Sequence, residues 1–67
     1  MENLGIYYIE NTIDEYKTKI VAYFKTLEEA MEGIKSCSNW FRPLGTGEIY
    51  FKEFGLNKPS ILVYKNY

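Results

Sequence analysis

The sequence predicts a small α+β domain, ordered β-β-α-β-β, with one four-stranded sheet and a single helix packed on one of its faces. Three observations predict it. Side chains alternate regularly from Tyr16 to Phe24, the period-two mark of a strand. The period then changes, and Leu27, Ala30, Met31 and Ile34 recur at i, i+3, i+4 and i+7, one apolar helix stripe. Two more short runs rich in aromatic and β-branched residues follow, bounded by Gly, Asn and Pro. With 67 residues the chain has room for one core, so positions 1–67 form a single domain.

The first strand is Leu4-Gly-Ile-Tyr-Tyr-Ile-Glu10, and Asn11 to Glu15 reads as a polar hairpin loop. The second strand places Thr18, Ile20, Ala22 and Phe24 on one side and Lys17, Lys19, Val21 and Tyr23 on the other. Thr26 followed by Glu29 offers a capping box, and Glu28, Glu29 and Glu32 suit the positive end of the helix macrodipole. The helix is expected to end near Cys37. Trp40 to Gly47 is a loop by its Pro and Gly content, Glu48 to Phe54 a third strand, Gly55 to Pro59 a turn, and Ser60 to Lys65 the fourth strand.

Charge guides the expected strand order. Lys17, Lys19, Lys52 and Glu53 fall in strands two and three, and charged strands suit sheet edges. That favours the order 2-1-4-3, with strands one and four parallel in the middle, the layout of β-grasp domains. A fully antiparallel order is the alternative.

Composition excludes several function classes. There is no histidine, which removes the commonest general base and metal ligand. One cysteine cannot make an intrachain disulfide or a zinc site, and Cys37 at a helix C-terminus is poorly placed to be a thiolate. The first turns of the helix account for Glu28, Glu29 and Glu32, and strand ends for Glu10, Glu48 and Glu53. Gly45-Thr46-Gly47 leads into a strand, without the Gly-Lys-Ser/Thr and helix of a phosphate loop. The expectation is no enzyme, no cofactor and no metal. Eight basic and nine acidic residues give a net charge of −1, unlike a nucleic-acid polyelectrolyte. Met1 to Glu10 has no basic n-region and meets Glu10 early, so no signal peptide is expected, and no apolar run approaches the roughly 20 residues that span a bilayer. These features point to a small cytoplasmic domain.

What remains is aromatic. Each strand carries a tyrosine, Tyr7, Tyr23, Tyr50 and Tyr64, at the parity opposite an expected core of Ile6, Ile20, Ala22, Phe24, Ile49, Phe51, Ile61 and Val63. One short helix covers one face, so the other presents this row, with Ile9, Val21, Phe54 and Leu62 among it, to water, a second copy or a partner. Strand propensity alone also places tyrosines on a wet face. A one-residue bulge in any strand would swap its faces. Trp40, Phe41 and Arg42 form a second candidate: they either fold under the helix or present hot-spot residue types to a protein. The expected function is protein binding, with a homodimer as one form. Stacking of single-stranded nucleic acid on the same rings is the alternative.

Gly45-Thr-Gly-Glu-Ile-Tyr-Phe51, Phe54-Gly-Leu-Asn-Lys-Pro59, Leu62-Val-Tyr64 and the helix from Thr26 to Ile34 together resemble small phage or mobile-element proteins. The resemblance covers about half the chain. It implies an accessory factor, some of which inhibit a host protein by occupying its surface, and it assigns no functional residue.

Overall fold

The structure, a computed structural model, describes residues 4–39, 42–55 and 57–66. Strands β1 (Gly5–Asp14) and β2 (Lys17–Phe24), helix α1 (Leu27–Ile34), and strands β3 (Gly47–Glu53) and β4 (Ile61–Asn66) follow one another in the expected order. They form one open sheet in the spatial order β2-β1-β3-β4, and all three neighbouring pairs are antiparallel. The α+β class therefore stands, and the all-antiparallel alternative replaces the β-grasp-like order 2-1-4-3. Charge misplaced β3. Lys52 lies exposed on the sheet face away from the helix, and Glu53 is the last residue of β3, so a central strand can carry both.

Thr26 caps α1 as its sequence position predicts: the hydroxyl oxygen accepts from the Glu29 N–H at 3.1 Å. The helix stops at Ile34, earlier than expected. Lys35, Ser36 and Cys37 continue as tight turns, their N–H groups donating to the carbonyls of Glu32, Gly33 and Ile34 three residues back. Gly33 brings the helix close to the sheet, because a Cβ there would lie 2.5 Å from the Phe24 ring.

The core is small. Ile9 and Ile49, directly paired across β1 and β3, meet Ala30 and Ile34 from α1, and all four are buried. Tyr7, Phe24, Leu27, Cys37 and Tyr64 pack around them.

β1 runs through the expected loop to Asp14 because Asn11 is a core residue. It is 2% exposed, and its Nδ2 donates to the Ser38 carbonyl at 2.7 Å. The next N–H, that of Thr12, donates to Asn39 Oδ1. These bonds tie the segment after the helix to β1. Asn66 Nδ2 ties the same segment to β4 through the Gly45 carbonyl at 2.7 Å, and Gly45 takes the positive φ of 92° that the turn requires. The hairpin itself closes over Glu15 and Tyr16, where Asp14 Oδ1 accepts from the Tyr16 N–H at 2.8 Å.

Candidate interaction face

Residues paired directly across antiparallel strands share a face. Tyr8 pairs with Tyr23 on one side and with Tyr50 on the other, and Tyr50 pairs with Leu62. These four form one rung across the whole sheet, on the face opposite α1. The Tyr8 and Tyr50 rings stack at 5.5 Å with 18° between planes, and Tyr23 leans on Tyr8 at 6.0 Å. One step along the strands, Ile6 and Lys52 form the next pair. One step the other way stand Ile20, Glu10, Glu48 and Lys65.

The expected tyrosine row is therefore half correct. Tyr23 and Tyr50 lie on the open face, but Tyr7 and Tyr64 pack against the core on the helix face. Tyr7 touches Phe51 there, with ring centroids 4.9 Å apart. In β1 the run Ile6-Tyr7-Tyr8-Ile9 is apolar on both sides and carries no parity of its own. The core takes Ile9 rather than Ile6, and the open face takes Ile6 rather than Ile9. In β4 the register shifts between the Ile49–Tyr64 and Tyr50–Leu62 pairs, so Val63 is an extra residue and Tyr64 turns to the helix side. A similar shift makes Val21 extra in β2 and moves Ile20 to the open face.

Tyr8, the centre of the rung, was missed. A strand containing adjacent tyrosines must show one on each face, and the Tyr7-Tyr8 doublet carried that signal. Of the loop candidates, Trp40 and Phe41 lie outside the described residues. Arg42 is exposed, and its backbone N–H donates to the Asn39 carbonyl at 3.0 Å.

The electrostatics of the face centre on Tyr50. Its hydroxyl donates to Glu48 Oε1 at 3.3 Å. Burial pushes its pKa up to about 12, assisted by the negative charges of Glu48 and Glu10, the Glu48 hydrogen bond and the neighbouring Tyr8. Glu10 and Glu48 thus set two carboxylates on one side of the rung, with Lys65 beside Glu48 in the register, while Lys52 stands on the opposite side.

Elsewhere, a groove of about 330 Å³ runs between α1 and β4, lined by Met31, Ile34 and Tyr64 with Glu28, Glu32 and Lys35 at its rim. Glu32 is paired with Lys35 at 3.1 Å. Among the described residues no group of three or more Cys, Asp or Glu side chains gathers as metal ligands would, and no helix is long and apolar enough to cross a membrane. No protein-family model, curated protein or solved structure matches the chain.

Proposed function

We propose that the chain is a non-catalytic protein-binding module whose docking surface is the Tyr23–Tyr8–Tyr50–Leu62 rung with Ile6 and Ile20 beside it. The observation that carries this reading is a continuous aromatic rung on a sheet face that no element among the described residues covers. Tyr23 is 59% exposed and Leu62 45% at the two ends of the rung, with half-buried Tyr8 and Tyr50 between them and charges along its sides. Tyrosine supplies large, rigid contact area at low entropic cost, and mutual stacking holds these rings in place before a partner arrives.

The carboxylates favour a protein over nucleic acid. Glu10 and Glu48 offset Lys65 on one side of the rung and Lys52 stands on the other, so the face carries no basic stripe to track phosphates. A cytoplasmic setting belongs to the proposal: Cys37 is a free, half-buried thiol whose pKa burial raises, an inert group suited to a reducing compartment. Inhibition of a host protein by surface occlusion is the form of this function that the resemblance to mobile-element proteins implies.

The test is site-specific photo-crosslinking in cells that make the protein. A photoreactive phenylalanine analogue replaces Tyr23 on the face or, as control, Tyr16, which is 88% exposed in the β1–β2 turn. A discrete adduct from position 23 and none from position 16 is the expected result. Equal, diffuse labelling from both positions would remove the face as a docking surface.

A further inference from the structure

We infer that the occupant of this face is a second copy of the chain, docked about a two-fold axis that runs along the tyrosine rung. The inference rests on the reading of the face as a protein-docking surface and adds the identity and orientation of the partner.

The charges supply the argument. Along β3 the open face reads Glu48, Tyr50, Lys52, an acid and a base at equal steps on either side of a tyrosine. A two-fold axis through Tyr50, perpendicular to the strands, reverses strand direction in the second copy. Lys52 of each copy then lies over Glu48 of the other, so the dimer holds this contact twice, as a self-complementary two-fold interface must. In the register Glu48 stands between Glu10 and Lys65, and the two carboxylates outweigh the one lysine in the seat that receives Lys52. Burial is the main cause of the raised Tyr50 pKa, and both carboxylates add to it. An axis along the strands, between β1 and β3, does the reverse: it sets Glu10 over Glu48 of the second copy, like against like.

Shape agrees. The chain measures 37 × 24 × 15 Å, a slab with two broad sides. A stable interface buries about 800 Å² on each partner, which a narrow edge of such a slab does not offer. One broad side carries α1; the other is the tyrosine face. Two such faces meeting with their strands nearly aligned form a sandwich about 10 Å between sheets, with the two rungs interleaved.

The experiment is sedimentation velocity on the full chain across about a hundredfold range of micromolar concentration. The wild type, Lys52→Glu, Glu48→Lys and an equal mixture of the two variants are compared, with circular dichroism to establish that each variant is folded. Each variant alone sets like charges together at both contacts and is expected to weaken dimerisation about tenfold or more. The mixture restores opposite charges at both contacts, so dimers reappear. The variant carrying both swaps in one chain dimerises as well, and it answers for a single variant that fails to fold.

A wild type that remains monomeric throughout overturns the second copy. So does a dimer indifferent to both swaps, or a mixture that stays monomeric. The crosslink at position 23 separates this failure from that of the docking reading: an adduct with a different protein keeps the face and removes the self-association.

Discussion

Tyr50 and Asn11 show how single side chains define the two faces of this sheet. Tyr50 sits on the open face with its hydroxyl held by Glu48, and its pKa is pushed up to about 12. The unfolded chain ionises this phenol near 10, so it gives up the proton first as pH rises. The contribution of Tyr50 to stability is therefore complete below about pH 10 and is lost as pH climbs toward 12. Phenolate absorbance should show Tyr50 ionising only near pH 12, and Glu48→Gln should lower that value part of the way, because burial remains. Asn11 does its work on the helix side. Asn11→Ala removes the bond to the Ser38 carbonyl and should cost about 1–3 kcal/mol in denaturant unfolding. A polar residue after a strand reads locally as a loop, and nothing near Asn11 announces an acceptor 27 positions away.

Elements were legible where a period or a cap was written into a few neighbouring residues. The alternation of β2 and the Thr26–Glu29 capping pattern gave a strand and a helix start that the structure reproduces. Ile49 and Tyr50 took the faces that their parity predicts. Faces were misread where the chain is apolar on both sides, as in β1, or where an extra residue breaks the register, as at Val21 and Val63. A bulge is set by pairing with a distant strand, so it leaves little trace in the strand that carries it. Gly47 belongs to this scale. It is buried in β3, and a Cβ there would lie 2.5 Å from Asn11 Oδ1 and 3.2 Å from Ile34 Cδ1. Gly47→Ala should lower stability by about 1–3 kcal/mol through overpacking at the junction of α1, β1 and β3. An unchanged melting temperature would mean that this junction is looser than described.

At the scale of the molecule, the eight-residue α1 closes a core that, among the described residues, holds four buried apolar side chains, and the aromatic residues around them extend it. Strand order was not legible because charge on the wet face of a central strand looks, in sequence, like charge at an edge. Among the described residues the same one-sided construction places no element over the opposite face, and the proposed function depends on that asymmetry. The two sheet edges differ as well. β2 carries Lys17 and Lys19 with irregular pairing, which discourages strand addition, whereas β4 exposes Ile61, Leu62 and Val63. Edge pairing through β4 is thus the natural rival to face-to-face docking, and the two bury different tyrosines. The most direct measurement is a dilution series followed by nuclear magnetic resonance of the assigned tyrosine rings. Docking through the rung predicts that Tyr8, Tyr23 and Tyr50 shift with concentration while Tyr7, Tyr16 and Tyr64 hold still. Rings that never move, or shifts gathered on Tyr64 beside β4, would contradict it.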